Sequence, residues 1–182
     1  MRGSLAQLDG GAALAGLSAP VRVERDALGV PRLTGATRND LARALGFLHA
    51  QDRFFQMDLS RRRAAGELAE LFGPAALETD RGARLHGFRR TARQVIAGLP
   101  PEHRAWLDAY VAGVNSGLAA LRARPWEYLV LRLDPVPWEW DRFVTQHASI
   151  TRLTSMEMRD GHTFSLTRLS DVEHLPKDAR TA

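Results

Sequence analysis

The side chains best suited to chemistry lie in residues 44–73, "ALGFLHAQDRFFQMDLSRRRAAGELAELFG". His49 and Asp52 are three positions apart, and residues at that spacing lie side by side on a helix. An imidazole beside a carboxylate could form an acid–base pair or contribute to a metal site. The other histidines lie far along the chain. Direct chemistry by this pair is therefore the less favoured interpretation.

The same segment is apolar on more than one helical face. One stripe of large side chains comprises Leu41, Leu45, Leu48, Phe55 and Leu59, and a second comprises Phe47, Phe54 and Met57. A helix that is apolar all round is expected to be buried. Its polar residues must then be hydrogen-bonded within the protein, because a buried unpaired group costs about 1–3 kcal/mol. We expect the arginine run at 61–63 to face solvent.

The elements around this helix can be read from local patterns. Alternation at Val21 and Val23 predicts a short strand, and "VRVERDALGVPRLTG" predicts a bent hairpin. Thr37 or Asn39 is expected to cap the long helix, which should stop at Gly73-Pro74.

Three further helices are predicted. They span about residues 75–97, the segment that restarts at Pro100-Pro101, and residues 141–158. Residues 161–182 show no convincing period. The predicted fold is mainly α with a short β-hairpin near the N-terminus.

Composition narrows the class of protein. The 182 residues carry a net charge of +4, almost entirely through arginine, since Lys177 is the only lysine among 25 basic residues. Acidic residues often stand three or four positions from the arginines, as in Arg63–Glu67 and Glu78–Arg81. This spacing is typical of a solvated helix surface, so we expect no nucleic-acid binding.

No apolar run approaches the roughly 20 residues that a membrane-spanning helix needs. The absence of cysteine excludes disulfides and thiolate metal sites. The apolar patch at residues 12–17 is shorter than the about 7–15 residues of a signal peptide's central region. We therefore expect either that a leader has been removed or that the protein stays inside the cell.

Four quoted segments carry a family resemblance: "VRVERDALGVPRLTGAT", "DLARALGFLHAQDRFFQMDLSRRRAAGELAELFG", "LHGFRRTARQVIAGLPPEHRAWLDAYVAGVNSGL" and "PVPW". In this order and spacing they resemble the alpha-subunit segment of the penicillin acylase family of N-terminal-nucleophile hydrolases, over roughly residues 19–140. The resemblance divides the chain into an N-terminal arm (1–18), an alpha-subunit-like segment (19–160) and a tail of unknown role (161–182).

The resemblance implies an αββα sandwich in which the alpha segment wraps a catalytic chain. The polar side chains of the long helix would then form a structural network buried between the layers: His49, Gln51, Asp52, Arg53 and Gln56. Family members cleave acyl amides with a serine exposed by self-cleavage at the start of a beta segment, and need no cofactor for catalysis. Gly3-Ser4 is misplaced for that junction, and Ser155, Ser165 and Ser170 lack a preceding glycine. The chain alone is therefore expected to be inactive.

The partner implied is a beta subunit with an N-terminal serine, and the substrates are β-lactams, acyl-homoserine lactones or lipopeptides. Arg152 and Leu153 correspond to a pair that lines the acyl site in some members, and Glu157 is the nearest match to a calcium ligand shared with the beta segment. The resemblance also implies a periplasmic or secreted location. The alternative is a truncated, inactive helical module or a basic interaction domain.

Overall fold

The computed structural model describes residues 2–139. Two strands and six α-helices follow one another: β1 (Arg22–Arg25), β2 (Pro31–Thr34), α1 (Arg38–Ala65), α2 (Ala69–Phe72), α3 (Leu77–Leu85), α4 (Phe88–Ala97), α5 (Pro101–Ala120) and α6 (Trp126–Leu131). Short 3₁₀ turns occupy Arg2–Ser4 and Gly73–Ala76. The prediction of a mainly helical chain with an N-terminal hairpin is confirmed. The predicted helix at residues 141–158 lies outside the described residues.

The hairpin pairs β1 and β2 antiparallel, with Val23 opposite Leu33. Its turn is organised by Asp26, whose Oδ1 accepts hydrogen bonds of 2.9 Å from the backbone amides of Leu28 and Val30. An aspartate that bonds to amides further along the chain is a standard means of closing a turn. This local chemistry explains why the hairpin could be predicted.

Helices α1 and α5 form the centre of the fold, and they meet backbone to backbone. A Cβ built on Gly113 would lie 2.0 Å from the carbonyl oxygen of Arg43, and one on Gly117 would lie 2.3 Å from that of Phe47. On the opposite helix, a Cβ on Gly46 would lie 2.2 Å from the carbonyl oxygen of Tyr110. Only glycine allows such an approach.

The start of α1 is fixed by polar contacts to the arm. Thr37 is the N-cap, and its side chain accepts from the Asp40 amide. The buried Asp40 carboxylate accepts from the Ser18 amide at 2.7 Å and the Ser18 hydroxyl at 2.5 Å, and also from the Thr37 hydroxyl. Hydrogen bonds from Ser18, and then from Thr37, lower the pKa of Asp40. Residue 18 of the arm is thereby attached to the first turn of α1.

Two predicted helix boundaries are wrong. Helix α1 ends at Ala65 rather than at Gly73, because Gly66 adopts the left-handed conformation (φ 71°) and its amide bonds back to the last turn. The helix predicted over 75–97 is two helices, α3 and α4. Gly87, also left-handed (φ 62°), separates them. In both places an internal glycine ends the helix although the apolar pattern continues.

The segment after α6 is held against α5 by one side chain. The Asn115 amide nitrogen donates to the Trp138 carbonyl at 2.9 Å, and the Trp138 amide donates to the Asn115 Oδ1 at 2.7 Å. The indole of Trp138 is buried in the same core as Phe54 and Val114. Within residues 2–139, no helix is both long and apolar enough to cross a membrane.

Candidate functional site

The polar residues in the first half of α1 bond to three different elements. The His49 Nδ1 lies 3.0 Å from the Tyr110 hydroxyl of α5. The Gln51 Oε1 accepts from the Gln7 amide of the arm at 3.2 Å. Asp52 forms a bidentate ion pair with Arg25 at the end of β1, with N–O distances of 2.9 and 3.0 Å. These side chains attach α1 to α5, the arm and the hairpin.

His49 and Asp52 are not hydrogen-bonded to each other, since their recorded partners in the described part of the chain are Tyr110 and Arg25. Burial, and then the charge of Arg53, lower the pKa of His49. Burial raises the pKa of Tyr110 to about 12. The His49–Tyr110 contact is therefore an uncharged hydrogen bond at neutral pH. This geometry favours a structural role over an acid–base pair.

Arg53 and Gln56 are exposed in this chain, so their predicted burial between the layers of the sandwich stays a prediction. They lie at and just after a kink, since Arg53 has a non-helical backbone (φ −153°, ψ 33°) in the middle of α1. No hydrogen bond or ion pair to another described residue is recorded for either side chain. Within this chain, three of the five predicted network residues, His49, Gln51 and Asp52, make three separate contacts.

The buried polar centre lies further along α1, around Asp58. One oxygen of this fully buried carboxylate accepts from the Nε and Nη2 of Arg61, at 2.8 and 2.5 Å. The other accepts from the Nε of Arg62 at 2.7 Å and from the Tyr128 hydroxyl at 2.6 Å. Four donors on two oxygens leave little acceptor capacity unused.

The cluster continues outward through two glutamates. Arg61 Nη1 donates to Glu67 at 2.8 Å, and Glu67 also accepts from Arg89 of α4. Arg62 Nη1 donates to Glu70 of α2. Three carboxylates and three guanidinium groups thus balance in charge. We call this set the ion cluster: Asp58, Arg61, Arg62, Glu67, Glu70, Arg89 and the hydroxyl of Tyr128.

The ion cluster overturns the expectation that the arginine run at 61–63 faces solvent. Arg61 is 1% exposed and Arg62 is 4% exposed, and only Arg63 is on the surface. The reason is Asp58, which stands three and four residues before them and turns both guanidinium groups inward. A buried charge is tolerated when it is paired and hydrogen-bonded.

The electrostatics of the cluster favour its charged form. Burial alone would raise the pKa of Asp58, but the Arg61 charge and the hydrogen bonds from Tyr128 and Arg62 bring it below its ordinary value. Burial, followed by the hydrogen bond to the carboxylate, raises the pKa of Tyr128. The cluster therefore holds fixed charges rather than a group poised to exchange protons. The spacing of Asp58 from Arg61 and Arg62 in the sequence indicates ion pairs along one helix face but does not indicate that they are buried.

Several cavities open along α1 in the described part of the chain. One of 260 Å³ lies between the arm, the hairpin and α1, lined by Leu14, Val23 and Phe47 among others. One of 370 Å³ lies beside the kink, lined by Arg53 and Trp126. One of 790 Å³ lies where α1 and α5 begin, beside Trp106.

Among residues 2–139, no group of three or more histidine, aspartate or glutamate side chains is placed to hold a metal ion. Arg152, Leu153 and Glu157 lie outside the described residues. The predicted acyl-site pair and calcium ligand therefore stay predictions.

Comparison with known proteins identifies the architecture. The sequence model of the family described as penicillin amidase matches residues 20–178. The chain belongs to the penicillin amidase family. It is 45% identical over 139 residues to the penicillin acylase 2 proenzyme of Pseudomonas sp. (strain SE83). This alignment covers 76% of this chain and 18% of that protein. It is 38% identical over 119 residues to the acyl-homoserine lactone acylase QuiP of Pseudomonas aeruginosa, over 65% of this chain and 14% of that protein.

A solved structure supports the same conclusion. The thermostable penicillin G acylase from Alcaligenes faecalis matches with a TM-score of 0.63 and 26% identity, over 90% of this chain and 94% of the matched chain. The chain thus spans less than a fifth of the length of these curated relatives, yet nearly all of one chain of the solved acylase. The family resemblance seen in the sequence is confirmed, and the matched part is the N-terminal, alpha-subunit region.

Proposed function

We propose that the chain is the non-nucleophilic alpha subunit or segment of a penicillin-acylase-type amidohydrolase. The observation that carries the proposal is the structural match over 94% of one chain of a penicillin G acylase. A unit of this extent is a whole chain in that enzyme, although it is a small fraction of the full-length relatives. The partner would be a beta subunit that supplies an N-terminal serine.

Three serines in the described part of the chain have hydroxyl groups that are engaged in structural hydrogen bonds. Ser4 donates to the Arg124 carbonyl, Ser18 to the Asp40 carboxylate and Ser116 to the Ala112 carbonyl. Within residues 2–139, no serine is recorded as hydrogen-bonded to a histidine. A serine needs an adjacent base to act as a nucleophile, and an N-terminal serine carries that base as its own amine. We propose that the beta subunit provides both.

The substrate class follows from the names of the relatives, which are penicillin and acyl-homoserine lactone acylases. We propose that the assembled enzyme cleaves the acyl amide of β-lactams, acyl-homoserine lactones or lipopeptides. Arg152 and Leu153 would line the acyl site, and Glu157 would contribute to a structural calcium site shared with the beta subunit. The hydrolysis itself would use the serine, its amine and oxyanion donors, without a catalytic cofactor.

The test combines this chain with the catalytic segment of penicillin acylase 2 from Pseudomonas sp. SE83. The chain alone should not hydrolyse a chromogenic phenylacetyl or fatty-acyl amide, whereas the co-expressed pair should copurify and turn over substrate. The proposal would be refuted if the chain alone hydrolysed substrate and still did so after Ser155, Ser165 and Ser170 were replaced by alanine. A chain that never captures a catalytic segment would instead be an inactive helical module.

A further inference from the structure

The kink in α1 lies beside a surface that combines unused polar groups with exposed apolar ones. Arg53, Trp126 and Leu5 line the 370 Å³ cavity there, as do Gln56 and Leu8. We call these five residues the kink face. It includes two polar residues of the "HAQDRFFQM" motif, which the contacts inside the chain leave unexplained.

The guanidinium of Arg53 is available on this face. It offers five N–H donors, and none is recorded in a hydrogen bond or ion pair with another residue in the described range 2–139. The neighbouring Asp52 carboxylate is taken by Arg25. Glu127 lines the same cavity, yet it is not within ion-pair distance of Arg53. An exposed arginine in the middle of a 28-residue helix is thus unpaired although carboxylates lie nearby.

Apolar side chains surround this cation. Leu5 is 68% exposed, Leu8 is 69% exposed and Trp126 is 51% exposed. Exposed apolar side chains grouped around a cavity and rimmed by polar ones mark a protein–protein contact. Tryptophan and arginine are also the residue types most enriched among those that dominate binding energy. The kink face therefore has the composition of an interface centre.

Resting on the function proposed above, we infer that the catalytic segment docks on the kink face and that Arg53 forms an ion pair there with a carboxylate of that segment. The length of the relatives identifies the occupant. The matched region is 18% of penicillin acylase 2, so most of that protein lies outside this region and must pack against it. Charge agrees with this choice. A second copy of this chain would itself carry +4, whereas an acidic, partly apolar strip would satisfy both Arg53 and Trp126.

The test measures binding of the 182-residue chain to the catalytic segment of penicillin acylase 2 from Pseudomonas sp. SE83. Arg53→Ala and Trp126→Ala should each raise the Kd at least tenfold, because each removes a buried contact from the complex. Arg63→Ala is the matched control. It removes an exposed arginine from the same helix and should change the Kd less than twofold. Arg53→Lys should restore part of the affinity.

The melting temperature of each free variant provides the second readout. It should stay within about 1 °C of the parent for Arg53→Ala, since an exposed side chain without recorded partners contributes little to folding. If the parent chain binds and both variants bind equally well, the kink face is not the docking site and the proposed function stands. If the parent chain itself does not bind, the proposed function fails and the inference falls with it.

Discussion

The Tyr128 hydroxyl donates a 2.6 Å hydrogen bond to the buried Asp58 carboxylate and so connects α6 to α1 across 70 residues of sequence. This contact lies on the side of the ion cluster that faces the apolar core. There the ring of Tyr128 also packs at a tilt against Phe54 and edge-on against Phe55. The buried Asp58 carboxylate is therefore covered on this side by aromatic rings.

Asp58→Asn should be strongly destabilising. The substitution removes the charge that balances Arg61 and Arg62, and an uncompensated buried charge costs about 3–5 kcal/mol. Urea denaturation followed by circular dichroism measures the loss. Glu78→Gln is the control, because Glu78 pairs with Arg81 on the open surface and such pairs contribute at most about 1 kcal/mol. Similar losses for the two variants would contradict the role of the cluster.

Arg62→Ala should destabilise the free chain far more than Arg53→Ala. Arg62 bonds to both Asp58 and Glu70 from a buried position, whereas Arg53 is exposed. The expected costs are about 3 kcal/mol or more for Arg62 and within about 0.5 kcal/mol for Arg53. This order is the reverse of what the sequence predicts. Thermal unfolding compares the two variants, and equal shifts would show that the cluster adds nothing to stability.

Gly113→Ala should disrupt the packing of α1 on α5. The added methyl group would lie 2.0 Å from the Arg43 carbonyl oxygen, so the helices must separate at a cost of about 1–3 kcal/mol or more. Gly82→Ala is the matched control, since nothing lies within 4 Å of a Cβ built there. In a helix that exchange should stabilise by about 0.5–1 kcal/mol. Opposite signs in chemical denaturation are the expected result.

His49 should make stability depend on pH near and below about 6.5, the ordinary pKa of histidine. Its pKa is lowered in the folded chain by burial and by Arg53, with Asp52 acting in the opposite sense. The unfolded chain therefore takes up a proton near pH 6.5 before the folded chain does. Stability contributed by neutral His49 is present above that pH and lost as the pH falls. His49→Gln should flatten the dependence of unfolding free energy on pH in this window, and an unchanged slope would refute the prediction.

Local patterns were enough to predict the hairpin, a cap at Thr37 or Asn39, and the starts of α1 and α5, because the turn and capping residues act on their immediate neighbours. The burial of Arg61 and Arg62 could not be predicted in the same way. An aspartate three or four residues before an arginine fits a solvated surface as well as a buried pair. The difference is made by Tyr128, far along the chain, and by Glu67, which bonds to Arg61 from just beyond the end of α1.

The glycine contacts between α1 and α5 also determine the axial register of the two helices. Sliding α5 by one turn would bring either Ala109 or Leu121 to a position that now accepts only Gly113 or Gly117. Both slipped arrangements place a side chain against a carbonyl oxygen of α1. Because α1 carries Arg53 and Gln56 and α5 carries Asn115, which holds Trp138, the axial spacing between these residues cannot change in steps of a helical turn.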